Sequence, residues 1–453
     1  MVSDIQPIAL RNSVAQPTDV RLRWRMGSEA RGLVLISAVL TAFGLAVLYS
    51  ASAFVAVTEH GSGAYFLIRQ LGGVAVGIVA FAVAAKFDAD KLRELAWPIM
   101  WFTIATMVAV LVLPNRIAPT IHGSRRFLFG ASFQPSEFAK LAVVVWVSML
   151  IVKKGESLKR FTKGLVPFVV VIGVLDVLAA LEPDLSVAML FTLLMALLLF
   201  VGGARMSHFI VLAAMCLPVT LTRIEKWRYA FSRLTAFLHP GNAPEAVSFQ
   251  LQQSLIAVGS GGWVGRGFGE GMQQAFFVPF PYSDFVASNV GEEWGFAGLA
   301  GITIAFAMYA LFGFRIARQA RTPFLQLVAV GLTFTTVLTA FLHIGVVIGL
   351  LPTTGLTLPF VSYGRSNLVL TMLFTGILVN IGSARERVIG SSATDTLAAA
   401  ASRAAARRHD PGRLCRRGYG RAPLSGHRHR ARPGSRAAVD RAAVRRRAPR
   451  HRA

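Results

Sequence analysis

The stretch Phe280–Gly313, FPYSDFVASNVGEEWGFAGLAGITIAFAMYALFG, decides the fold. From residue 286 to 313 it stays apolar for longer than the ~20 residues a helix needs to cross a bilayer, so it reads as a membrane span. Its mouth carries three carboxylates, Asp284, Glu292 and Glu293. Continued as a helix from Asp284, the segment sets Ser288, Glu292 and Gly295 three or four residues apart on one polar face, with Phe285, Trp294 and Phe296 supplying bulk elsewhere. Carboxylates beside a membrane helix are costly to keep unless they act, so a functional site is one reading. The other is that Ser283 or Asp284 merely caps the helix.

Outward from this stretch the pattern repeats. Apolar runs of spanning character fall at 32–53, 66–85, 96–113, 137–152, 164–181, 185–202, 207–222, 286–313, 323–348 and 359–382. The expected fold is therefore all-α, a polytopic integral membrane protein of ten transmembrane helices, with a long extracytoplasmic loop, 223–285, between helices 7 and 8. Composition agrees: 54% of the 453 residues are apolar, 15% are charged and the mean hydropathy is +0.56. The formal charge of +25 does not mark a nucleic-acid binder, because residues 401–453 alone hold 17 Arg against two Asp. Cys216 and Cys415 have no partner spacing for zinc or for a disulfide framework.

Charge alternates between the connections. Lys86, Lys91 and Arg93, then Lys153, Lys154, Lys159, Arg160 and Lys163, then Arg205, then Arg315, Arg318 and Arg321 mark one side, whereas 54–64, 182–184 and 349–358 contain no Lys or Arg. By the positive-inside rule both termini are cytoplasmic. The unusual polar clusters, His122–Lys140, Glu182–Asp184, Arg223–Glu293 and His343–Asn367, then all lie at outer helix ends. The helix centres are nearly charge-free, which argues against ion-coupled transport.

Three regions flank or interrupt the bundle. Residues 1–31 form a polar cytoplasmic tail without a signal-peptide core, so the first helix is expected to stay as an anchor. The 223–285 loop contains an amphipathic stretch, Lys226–Leu238, suited to the membrane interface. It also holds a glycine-rich run, Gly259–Gly271, which no strand precedes and which therefore does not read as a nucleotide loop. Residues 383–453, basic and without apolar periodicity, are expected to be disordered and cytoplasmic. Their charge suits anionic membrane lipids, although an Arg/Ala/Pro-rich, lysine-free run is also what a GC-rich gene gives in a shifted frame.

Five stretches, Gly123–Val143, Leu181–Leu190, Phe249–Gly271, Pro281–Gly298 and Gly349–Gly364, resemble the SEDS family of bacterial shape, elongation, division and sporulation proteins. They do so in order, across residues 32–382. The N-terminal extension and the wording GLTLPF are closer to the division branch, FtsW, than to the elongation branch, RodA. The resemblance implies a peptidoglycan glycosyltransferase that polymerises lipid II outside the cytoplasmic membrane, at the division septum, with a class B penicillin-binding protein and other divisome proteins as partners. It matches the family's essential aspartate to Asp284. A lipid II flippase and a non-catalytic divisome scaffold are the alternatives.

The implied chemistry sets the remaining expectations. A glycan 4-hydroxyl is a poor nucleophile at neutral pH, and a carboxylate that takes its proton contributes ~10²- to 10⁴-fold; partial desolvation at the membrane edge would make Asp284 more basic. The departing diphosphate needs positive charge. Arg125, Arg126, Lys140, Arg228, Arg233 and Arg266 are the outer cations, with a divalent cation held by carboxylate and phosphate as the other route. Gln250, Glu292, Ser362 and Tyr363 complete the expected substrate-binding set, Phe360, Ser362 and Tyr363 being read as the opening of the last helix. Against these stand plainer readings: a Glu137–Lys140 ion pair one turn apart, Arg125 and Arg126 as headgroup anchors, Glu182 and Asp184 as solvated turn residues, and Trp227 and Trp263 as interfacial anchors. Glu292 is expected to be buried and hydrogen-bonded. Arg365 stands where the family often has glycine, which would be costly if the backbone there needed a positive φ.

Overall fold

The computed structural model describes residues 20–120, 124–130, 132–207, 209–210, 237, 245–273 and 281–389. Leu22–Val388 form one compact unit; of a second unit, Met1–Arg21 with Ile389–Ala453, only Val20, Arg21 and Ile389 are described. Eleven α-helices occur among the described residues: α1 Ser28–His60, α2 Tyr65–Lys86, α3 Leu92–Val112, α4 Pro135–Lys154, α5 Val166–Leu181, α6 Leu185–Val201, α7 Glu245–Gly261, α8 Val286–Glu293, α9 Gly295–Arg318, α10 Pro323–Val347 and α11 Arg365–Ile381. A two-stranded ribbon, β1 Val20–Met26 with β2 Ser383–Ile389, is the only sheet among them. Among the described residues seven helical segments are long and apolar enough to span a bilayer, and α6 and α11 are shorter apolar helices. The expected seventh span, 207–222, lies almost wholly outside the described residues, as do the Lys226–Leu238 stretch and the tail from 390 onward.

The bundle is organised around α4 and α10. Both are buried along most of their length, and Trp146, Phe168, Phe191, Phe306 and Tyr309 fill the space around them. The peripheral helices invert the pattern of a soluble protein. Ile68, Val76 and Val79 on α2, Trp101 and Val112 on α3, and Val170 and Val177 on α5 point outward, as a hydrocarbon surround requires. α2 lies tight along α11 because glycine lines the seam: a Cβ on Gly77 would sit 2.4 Å from Met372 Sδ, and one on Gly376 2.6 Å from the Phe81 carbonyl.

Hydrogen bonds sort the helix ends into two layers. At the ends expected to face outward, Gln134 N–H donates to Ser366 Oγ (3.0 Å), Ser186 Oγ to the Thr354 carbonyl (3.5 Å) and Ser362 Oγ to the Ser283 carbonyl (2.7 Å). At the opposite ends Asn380 donates to the Ala85 carbonyl (2.7 Å) and Arg321 to the Ser383 carbonyl (3.0 Å). One acid sits inside a span: Asp176 of α5 accepts from Thr192 of α6 (2.7 Å).

Two expected helices are revised. The 286–313 run is broken at Trp294, because Gly295 takes a left-handed φ of 63°. The glycine-rich segment splints this break. Arg266 and Gly267 N–H donate to the Glu292 and Glu293 carbonyls (3.0 and 3.1 Å), while Phe296 and Ala297 N–H donate to the Gly262 and Trp263 carbonyls (2.8 and 3.1 Å). Glycine is needed for this approach: a Cβ on Gly261 would fall 1.9 Å from the Gly291 carbonyl oxygen. The second revision concerns the last helix, which starts at Arg365 rather than near 359. Pro359–Gly364 is a turn, with buried Phe360 at a φ of 65°.

Candidate functional site

Asp284 lies in the turn Pro281–Phe285 that leads into α8, so it precedes the helix instead of sharing a face with Ser288 and Glu292. It is half-buried. The turn is bonded to the Pro359–Gly364 turn at two points: Ser362 Oγ donates to the Ser283 carbonyl (2.7 Å) and Tyr363 N–H to the Tyr282 carbonyl (2.8 Å). Asn289 of α8 closes it from behind through the Pro281 carbonyl (3.0 Å). In front stands Gly355, whose Cβ, if it had one, would be 3.8 Å from Asp284 Oδ2. Gly355 has a φ of 63°, and the adjacent Leu356 carbonyl is held by buried His343 (2.7 Å).

Rings form the lateral wall. Phe66 of α2 stacks on Tyr282 with centroids 4.6 Å apart and meets Tyr363 edge-on at 5.1 Å. Burial, and then the neighbouring charges of Glu59, Tyr363 and Asp284, push the Tyr282 hydroxyl up to about 12. Tyr282 therefore stays protonated and can donate a hydrogen bond at neutral pH. Arg69 lies 4.7 Å above the Tyr65 ring and is exposed, which adds a cation at the same end of α2 as Phe66.

A second polar cluster lies at the α4, α5 and α6 ends. Arg126 faces Asp184 (3.5 Å) and donates to the Glu182 carbonyl (3.2 Å) and to the Pro183 carbonyl. Asp184 also caps α6 through Val187 N–H (3.4 Å). The expectation of solvated turn residues fails, since Glu182 and Asp184 are both buried. Burial, reinforced by Asp184 and opposed by Arg126, pushes the Glu182 carboxyl up to about 8. Asp184 is also raised, by burial, against Arg126 and the Val187 N–H. Lys140 and Glu137 form a buried ion pair at 2.7 Å. They line a cavity of about 10 Å³ with Thr335, Thr336, Thr339 and Asn367, room for about one water.

The expected substrate set thus divides. Ser362 and Tyr363 join Asp284, but from a turn and not from a helix. Glu292 is fully buried and accepts from Met272 and Gln273 N–H (2.9–3.2 Å), which makes it the anchor of the glycine-rich segment. Arg125 donates to the Leu111 and Ala118 carbonyls (both 3.5 Å) and to that of Leu113, tying down the end of α3 rather than a headgroup. Gln250 is half-buried on α7, and Arg266 is exposed, with Nε 3.4 Å from the Ser260 carbonyl. Arg228, Arg233 and Trp227 lie outside the described residues; Trp263 is 77% exposed, as an interfacial anchor requires. Arg365 has an ordinary helical start and reaches Ser132 Oγ (3.2 Å), so no glycine conformation is missing there. Among the described residues no three His, Cys, Asp or Glu side chains converge as a metal site. Phe66 and Gln70 also join this arrangement, through the Tyr282 ring and the Ser362–Gly364 backbone. The sequence signal is a glutamine next to Arg69 at the start of an apolar run.

Comparison with known proteins bears on this arrangement. The FtsW/RodA/SpoVE family model, described as "Cell cycle protein", matches residues 31–387. A probable peptidoglycan glycosyltransferase FtsW from Geobacter sulfurreducens is 36% identical over 353 residues, covering 78% of this chain and 94% of the relative. Stage V sporulation protein E of Bacillus subtilis is 34% identical, covering 77% and 95%. A solved structure reported as "Structural coordination of polymerization and crosslinking by a peptidoglycan synthase complex" superposes with a TM-score of 0.64 at 25% identity, covering 78% of this chain and 97% of that one. The rod shape determining protein RodA of Thermus thermophilus shares the fold, with a TM-score of 0.55 at 23% identity over 78% and 95% of the two chains.

Proposed function

This chain belongs to the FtsW/RodA/SpoVE cell cycle protein family, and on that premise we propose that it is a peptidoglycan glycosyltransferase with Asp284 as its general base. The substrate is lipid II at the outer face of the cytoplasmic membrane, the setting is division, both termini are cytoplasmic, and the partner is a class B penicillin-binding protein. The observation that carries the reading is the Asp284 turn: a half-buried carboxylate at a helix start, its backbone fixed to the Pro359–Gly364 turn by two hydrogen bonds.

The reaction asks for little else from the chain. The 4-hydroxyl oxygen of one sugar bonds to the anomeric carbon of another while the bond from that carbon to the diphosphate oxygen breaks. The hydroxyl proton passes to the Asp284 carboxylate, and undecaprenyl diphosphate leaves with the electron pair. Among the described residues, Arg69 and Arg266 are exposed cations without a carboxylate partner that could meet the developing phosphate charge; Arg126 and Lys140 are already engaged by carboxylates.

A flippase would need a polar path for the sugar headgroup, whereas the described central helices α4 and α10 are packed largely by apolar side chains. The test is to supply fluorescent lipid II on one side of vesicles holding the chain and its penicillin-binding partner. Polymer on the outer-face side without exchange of monomer between leaflets is expected; exchange without polymer would contradict the proposal.

A further inference from the structure

We propose that Gln70 is a positioning residue for Asp284, acting from α2 through the Pro359–Gly364 turn. The inference rests on the glycosyltransferase reading above and adds a residue that contacts neither substrate nor Asp284. Gln70 is 2% exposed, in the second turn of a membrane helix. Its Nε2 donates to the Ser362 carbonyl (3.2 Å), and its Oε1 accepts from Gly364 N–H (3.3 Å).

One amide therefore holds both sides of residues 362–364, as a neighbouring strand would. The same three residues carry the two bonds to the Asp284 turn, from Ser362 Oγ to Ser283 and from Tyr363 N–H to Tyr282. Ser362 Oγ itself accepts from Leu358 N–H (2.8 Å), so its direction depends on the whole turn. Phe66, four residues before Gln70 and on the same face of α2, presses on both Tyr282 and Tyr363. A membrane helix keeps a buried primary amide at a cost unless every polar atom is met. Here donor and acceptor are both used on the turn that fixes the candidate base.

If the turn loosens, the carboxylate loses its aim, and a misplacement of about 1 Å can cost on the order of 100-fold in rate. The test uses the full chain reconstituted with its penicillin-binding partner and lipid II, comparing wild type, Asp284→Asn, Gln70→Leu and Gln70→Glu. For Gln70→Leu, kcat should fall about 100-fold with KM for lipid II within about twofold. Gln70→Glu supplies the readout that a merely structural role would not move. Its protonated carboxyl can donate to the Ser362 carbonyl and accept from Gly364, whereas the ionised form sets an oxygen against that carbonyl. Its kcat relative to wild type should therefore drop at least about tenfold from pH 5.5 to 8.5. A flat ratio, or wild-type kcat in Gln70→Leu while Asp284→Asn is inactive, overturns the positioning role and leaves the base assignment standing. Wild-type activity in Asp284→Asn overturns the base assignment and this inference with it. If Gln70→Leu does not fold, the pH ratio of Gln70→Glu decides.

Discussion

Glu182 and Lys140 illustrate how burial governs the outer polar residues. The Glu182 carboxyl has an ordinary value of 4.5 and is pushed up to about 8 in the fold, so between these values the folded chain holds a proton that the unfolded chain has lost. Its contribution to stability is present below pH 4.5 and is lost as pH rises through about 8. Glu182→Gln should accordingly raise the midpoint of thermal unfolding at pH 8.5 and change it little at pH 4.5; parallel shifts at both pH values would contradict this. The Glu137–Lys140 pair responds differently, because removing one partner strands a buried charge. Lys140→Met alone should cost about 3–5 kcal/mol in chemical denaturation, and adding Glu137→Gln should recover much of it. These two residues were legible in sequence, since a spacing of three on a helix puts them within reach. Gln70 was not, because its partners lie 292 and 294 residues away and local pattern carries no information about them.

At the level of elements, apolar run length located the described apolar helices α1–α6 and α9–α11, and it failed where backbone geometry changes without a change in hydropathy. Trp294 and Gly295 read as two more helical residues. What ends α8 is the glycine-rich segment more than twenty residues upstream, which meets the freed carbonyl and N–H groups that lipid could not. Gly265 shows how tight this splint is: its φ is 89°, and a Cβ there would lie 2.1 Å from the Glu293 carbonyl oxygen. Gly265→Ala should destabilise the fold by about 2–4 kcal/mol, read as a lower unfolding midpoint, while Gly301→Ala, where a Cβ meets nothing within 4 Å, should leave it unchanged. Equal midpoints for the two variants would remove the splint. The start of α11 misled for a related reason. Leu358–Val361 is apolar enough for a helix, yet Pro359 and Gly364 bracket a turn, and that turn is what reaches Asp284.

Across the described residues, hydrogen bonding at one set of helix ends ties distant turns to one another. It gathers residues from four distant parts of the chain, 66–70, 281–289, 343–356 and 359–365, around one carboxylate. The family match stops at residue 387, before the basic tail begins in earnest. A chain truncated after residue 389 should therefore polymerise lipid II at a rate within about twofold of the full chain, the scale at which residues remote from a site act; a loss of activity would assign the basic tail a role. The central claim concerns Asp284 itself. The decisive measurement is single-turnover glycan formation from lipid II by the reconstituted complex, wild type against Asp284→Asn, at matched protein level and partner occupancy. With Asp284 as general base, the near-isosteric amide should show a rate at least about 100-fold lower, with lipid II binding retained. Equal rates in the two proteins would contradict it.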